Sequence, residues 1–243
     1  QLKQDLESVL AKVEQTKQYR ASKRPQPAQV AEKLARTCGK SDMVQTIVAE
    51  CKKANVPPEL FLAMLQQESG GDCLAMGDDG TSVGIFQVSR TGLPASVEVC
   101  SPNDASAVAN PKCLQNPLTN LREGIRMITS KFKSVNDRLP APPPKSWAET
   151  NPATRDLWRK AITAYNGGQA YVFQAYNDIE AFNKTHKTNY DPHNWEVRRL
   201  FMFRMGLAEN GSNYFSNNYR WKRSKENAIS NLTYTELAVG RER

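Results

Sequence analysis

Glu68 is placed where a carboxyl group is chemically unusual. It closes the run from Pro57 to Glu68, whose apolar members fall at helical spacing. With Leu60 at zero and about 100° per residue, Met64 lies at about 40°, Phe61 at about 100° and Leu65 at about 140°. Glu68 falls at about 80°, in the middle of that apolar stripe. A carboxyl group among apolar neighbours keeps its proton to higher pH, because its charged form loses hydration. A neutral carboxylic acid near pH 7 is a proton donor for a leaving oxygen. From the helix alone, Glu68 also fits a core glutamate matched to a basic partner, or a helix-end residue reaching for solvent. Farther along, Leu157, Trp158, Ala161 and Ile162 repeat the pattern and put Tyr165 in mid-stripe, followed by Asn166.

The elements that carry these residues follow from period and punctuation. Pro57 and Pro58 suit a first helical turn, where a missing N–H has no partner to lose. Gly70 and Gly71 end that helix, since glycine takes a left-handed conformation cheaply. Leu2, Leu6, Val9 and Val13 predict an amphipathic helix over 2–20, and 21–27 reads as a basic, proline-bearing linker. Helices are expected at Ala28–Ala35, Asp42–Ala54, Asn116–Phe132, Thr154–Tyr165 and Trp195–Leu207. Glycines at 77, 80, 84 and 92 surround the β-like run Val83–Val88, which predicts a small hairpin or loop. The proline-rich stretch 139–145 reads as a surface loop, and the tail beyond 221 is weakly patterned. The expected fold is mainly α, with a small β-hairpin element.

Composition narrows the class of partner. The 243 residues carry a net charge of +8, which favours anionic partners such as a carboxylate-bearing polymer or an envelope surface. Basic tracts interleaved with aromatics are missing, which argues against specific nucleic-acid binding. Apolar runs fall short of the roughly 20 residues a membrane span needs. The five cysteines lack C-x-x-C spacing and the two histidines lie far from them, so neither a metal nor a cofactor is expected. An oxidising compartment predicts two disulfides and one odd thiol, with Cys100–Cys113 the preferred pair; five unpaired buried thiols are the alternative. Without a leading Met or a signal-like stretch, either a targeting segment has been removed or the chain has been trimmed.

Three motifs occur in order: QQESGGD (Gln66–Asp72), GDDGTSVGIFQVS (Gly77–Ser89) and AYNGG (Ala164–Gly168). Together they resemble the lytic transglycosylase and goose-type lysozyme superfamily, and NPLTNLREGI (Asn116–Ile125) resembles the helix between its second and third motifs. The resemblance covers about Pro57 to Gly168. It implies a lysozyme-like domain that cleaves the β-1,4 bond between N-acetylmuramic acid and N-acetylglucosamine in peptidoglycan, with Glu68 as general acid. It also implies that Ser69, Gln87, Tyr165 and Asn166 bind substrate. Asp78 resembles the goose-type candidate base for activating water, which tilts the reading toward lysozyme-type hydrolysis. Ser89 stands where the goose-type pattern has a further Asp, which weakens that tilt. The alternatives are a lytic transglycosylase forming 1,6-anhydromuramic ends and a non-catalytic wall-binding module. Asp72, Asp78 and Asp79, if they line the cleft, imply a preference for a de-N-acetylated sugar. The expected organisation is a helical extension over 1–36 and a catalytic domain over 37–243. The protein is expected to be exported, periplasmic or secreted, and to act as a monomer on peptidoglycan strands.

Overall fold

A computed structural model describes residues 2–77, 80–101, 104–136, 152–198, 201 and 225–239. They are mainly helical, with one small antiparallel sheet, as expected. In chain order come α1 (Leu2–Lys23), α2 (Pro27–Cys38), α3 (Met43–Lys53), α4 (Pro58–Glu68), β1 (Met76–Gly77), β2 (Ser82–Val83) and β3 (Val88–Ser89). A 3-10 turn (Ala105–Val108) precedes α5 (Pro117–Val135), α6 (Pro152–Gly167), α7 (Gln169–His186) and a last helix, α8 (Lys225–Val239). The chain divides into two compact units. The first holds Lys23–Thr129, and the second holds the described parts of Gln1–Ser22 and Thr150–Arg243 together with the last turns of α5.

In the first unit, α2 begins with Pro27 and stops at Gly39, whose φ of 63° is the left-handed conformation that glycine adopts without strain. Its buried Val30, Leu34 and Cys38 recur at helical spacing. α2 packs on α3, and α3 packs on α4. The buried face of α4 is Leu60, Phe61, Met64 and Leu65, the stripe foreseen from the sequence. The Phe61 ring stacks on Phe86 at 4.0 Å between centroids. α5 approaches this pair at Gly124, where a Cβ would sit 3.1 Å from both the Phe61 ring and Phe86. Two disulfides close loops in this unit: Cys100–Cys113, the expected pair, and Cys38–Cys73. Cys51 is the odd thiol; burial, then Glu50 and Glu59, push its pKa up to about 12.

The second unit is built around α6, which packs on α7 and α8. Leu157, Trp158, Ala161 and Ile162 are buried, and Trp158 lies against Phe132 at 4.5 Å. The hydroxyls of Thr163 and Thr235 share a hydrogen bond of 2.8 Å between α6 and α8. Among these apolar groups sits a buried cationic cluster. Lys160 is 1% exposed, and its Nζ lies 3.4 Å from His193 Nδ1. Arg198 donates to the Pro192 and Val172 carbonyls. Burial, then Arg198, brings the Lys160 pKa down to about 7; burial also lowers those of His193 and of Arg198, the latter to about 10.

Several expected boundaries moved. α1 runs on through Ala21–Lys23, read as linker, because the first helix-breaking residue is Pro25. The run Val83–Val88 is interrupted: β2 pairs with β1 (Met76 with Val83) and with β3 (Val83 with Val88), and residues 84–87 form the turn between them. α7 and α8 were not foreseen. The proline-rich stretch 139–145 and the end of the helix expected at Trp195–Leu207 lie outside the described residues.

Candidate active site

The C-terminus of α4 and the turn of the sheet are joined by Ser69. Ser69 follows Glu68 directly and has left the helix, at φ −134°. Its Oγ donates to the Ile85 carbonyl at 2.9 Å and accepts from the amides of Gly71 at 3.1 Å and Asp72 at 3.2 Å. One donor and two acceptor sites exhaust a hydroxyl. The side chain therefore fastens the turn after Glu68 to the turn between β2 and β3. Glu68 itself is half-buried, the last residue of α4, and engaged with a neighbouring group. Its face of the helix is that of Phe61, Met64 and Leu65, all fully buried.

Gln87 holds the same turn from within. It adopts a positive φ of 45°, and its Nε2 donates to the carbonyls of Ala75 at 3.1 Å and Gly84 at 2.9 Å. Its Oε1 lies against Gly77, where a Cβ would meet it at 2.3 Å. Asp72 also works locally: Oδ2 pairs with Lys33 Nζ at 3.2 Å, and Oδ1 accepts from the Leu74 amide at 2.9 Å. Asp78 and Asp79 lie outside the described residues. Tyr165, half-buried, and Asn166, exposed, occupy the last turn of α6 in the second unit. The structure thus ties Ser69, the residue directly after Glu68, and Gln87 to the same sheet turn and places Tyr165 and Asn166 on a separate element.

Asn120 was missed by sequence reasoning. It is fully buried on α5, accepts from the Phe86 amide at 2.9 Å, and donates to the carbonyls of Val83 at 2.8 Å and Leu114 at 3.0 Å. Gly84, at φ 80°, is required beside it, because a Cβ there would lie 2.3 Å from Asn120 Nδ2. α5 therefore fixes the sheet turn from one side and Ser69 from the other. The signal was present: Asn116 and Asn120 sit one turn apart, immediately before the apolar stripe.

Chemically, the neighbourhood offers one carboxyl group on an apolar helix face, held by a braced turn. Such a group suits proton transfer to a substrate oxygen. A family model described as Transglycosylase SLT domain matches residues 45–190, more than half of the chain, from within α3 to just beyond α7. Neither a curated protein nor a solved structure matches.

Proposed function

Because the chain belongs to the transglycosylase SLT domain family, whose substrate is peptidoglycan, we propose that it cleaves the glycan strand by intramolecular transfer, with Glu68 as the proton donor. The observation that carries this is the position of Glu68, the terminal residue of an apolar helix, inside the matched span. In the proposed reaction the Glu68 carboxyl gives its proton to the glycosidic oxygen between N-acetylmuramic acid and N-acetylglucosamine. The bond to the anomeric carbon breaks, and the muramic 6-hydroxyl attacks that carbon. Its proton passes to the Glu68 carboxylate, restoring the acid and leaving a 1,6-anhydro end. One carboxyl group serves both steps.

Hydrolysis is the second reading, and Asp78 is the residue that favours it. An inverting hydrolase places a base roughly 6.5–9.5 Å from the acid to activate water. The tilt here is toward transfer for two reasons. The matched family is described as a transglycosylase. Ser89, where the goose-type pattern has a carboxylate, shares a 2.8 Å hydrogen bond with the Thr91 hydroxyl and accepts from the Thr91 amide, as a turn residue does. Ser69 and Gln87 are proposed as positioning residues, since their hydrogen bonds hold the turn beside Glu68. The resemblance alone assigns Tyr165 and Asn166 to substrate. The engagement of Asp72 with Lys33 leaves the preference for a deacetylated sugar resting on Asp78 and Asp79.

Residues 1–36 are proposed as a helical extension and 37–243 as the catalytic domain. Action on a wall polymer and two disulfides support export; among the described residues no helix is long and apolar enough to cross a membrane. Mass spectrometry of digested peptidoglycan tests the chemistry. Anhydromuramic ends are expected; reducing muramic ends would replace transfer by hydrolysis.

A further inference from the structure

A polar groove of about 480 Å³ lies between α2 and the end of α4. α2 contributes Gln29, Glu32, Lys33 and Arg36 to its lining, and α4 contributes Gln66 and Gln67; Glu68 is not part of it. At about 100° per residue, Gln67 and Gln66 are turned about 100° and 200° from Glu68. Ser69 and Gly70, directly after Glu68, also line it, so the groove runs from a second surface of the same helix to the residue beside the proposed proton donor. α2 lies wholly outside the matched span of 45–190.

The wall is fixed in place. Cys38, the last residue of α2, is bonded to Cys73 in the loop after Glu68. Thr37 Oγ1 accepts from the Cys73 amide at 3.1 Å and lies 3.1 Å from the Gly71 carbonyl, while the Lys33 carbonyl is within 2.8 Å of the same hydroxyl. Gly71, at φ 94°, lets α2 approach so closely that a Cβ would lie 2.7 Å from the Val30 carbonyl. The charges are unequally engaged. Lys33 pairs with Asp72. Arg36 is exposed and makes no hydrogen bond or ion pair among the described residues. A free guanidinium offers a planar fork that matches a carboxylate. Gln29 Oε1 accepts from the Gln26 amide and Gln66 Nε2 donates to the Pro25 carbonyl, which leaves the other amide atom of each for a peptide C=O or N–H group.

We propose that this groove binds the carboxylate-bearing peptide branch of the peptidoglycan strand, with Arg36 as its anion-binding residue, so that peptide-bearing strands are preferred to stripped ones. This rests on the reading of the chain as a peptidoglycan-cleaving enzyme. The reach is adequate. A branch of about four residues extends to about 13 Å, against a helix diameter of about 10–12 Å, so a strand seated at Glu68 can send its branch around the end of α4.

The probe is a free stem tetrapeptide with its carboxylates intact, titrated against the full chain and followed by calorimetry, with the fully amidated peptide as comparison. The acidic peptide is expected to bind at least about tenfold more tightly than the amidated one. Arg36→Glu is expected to weaken it by at least about tenfold, whereas Lys112→Glu, the same charge change at another exposed position of the unit, leaves the affinity unaltered. The ratio of kcat/KM on peptide-bearing to peptide-stripped strands, several-fold above one in the parent, falls toward one in Arg36→Glu. Absence of peptide binding, equal binding of the amidated peptide, or undiminished binding by a folded Arg36→Glu overturns the proposal. Peptide bound with no strand cleaved keeps the groove and removes the enzymatic reading instead.

Discussion

Three hydrogen bonds converge on the Ser69 hydroxyl, and all three partners are backbone groups of the turns around Glu68. In Ser69→Ala those groups lose their partner, at a cost of about 1–3 kcal/mol. Urea unfolding should show that loss; a variant as stable as the parent would contradict the positioning role. The residue scale was unevenly legible in the sequence. Glu68 stood out because a carboxyl group in an apolar stripe breaks a local rule. Ser69 and Gln87 stood out through motif resemblance, as substrate residues. The structure engages both with backbone groups, and no spacing rule could reveal that, because their partners lie as far off as Ile85 and Ala75. Asn120 went unread for the same reason: two of its partners, the Phe86 amide and the Val83 carbonyl, lie 34 and 37 residues away.

α2 and the loop after α4 are the elements whose union matters most for the site, and Cys38–Cys73 is its covalent part. The bridge closes a sequence separation of 35 residues. Loop-closure entropy for that length corresponds to about 3–4 kcal/mol. A Cys38→Ser variant should lose stability on that order in denaturant unfolding, and a reductant should lower the midpoint of the parent toward it. A parent indifferent to reductant would place the stability elsewhere. Helices with one buried stripe were legible: α2, α4 and α5 each show it. α7 and α8 were not. In α8 the consecutive residues 232–236 are all buried, Thr233, Thr235 and Glu236 among them. A helix enclosed on every side has no stripe to read. α7 starts directly after Gly168 and exposes Phe173 while burying Val172, Ala175 and Ile179. Glycine there ends one helix and permits the next to begin at a φ of 87°.

At the scale of the whole molecule, proton binding couples stability to pH through the cluster on α6. The folded-state pKa of Lys160, about 7, lies below its ordinary value of 10.5. Between those values the unfolded chain holds a proton that the folded chain has released, so stability rises with pH across the window. His193, whose pKa is also lowered, adds a contribution of the same sign that is lost as pH falls through its ordinary value of 6.5. Thermal melts should therefore shift upward from pH 6 to pH 9.5, and Lys160→Met should flatten the rise; a profile equally steep in that variant would remove Lys160 as its source. The net charge of +8 was legible as attraction to an anionic polymer, but the burial of two basic residues, Lys160 and Arg198, in one cluster was not, because composition counts charges without placing them. The central claim, that one carboxyl group breaks the glycan strand, is tested most directly by the initial rate of muropeptide release from purified peptidoglycan by Glu68→Gln beside the parent. Loss of the general acid should lower the rate by about 10²–10⁴-fold with the fold intact by circular dichroism, and a correctly folded Glu68→Gln that released muropeptides at the parent's rate would contradict the account.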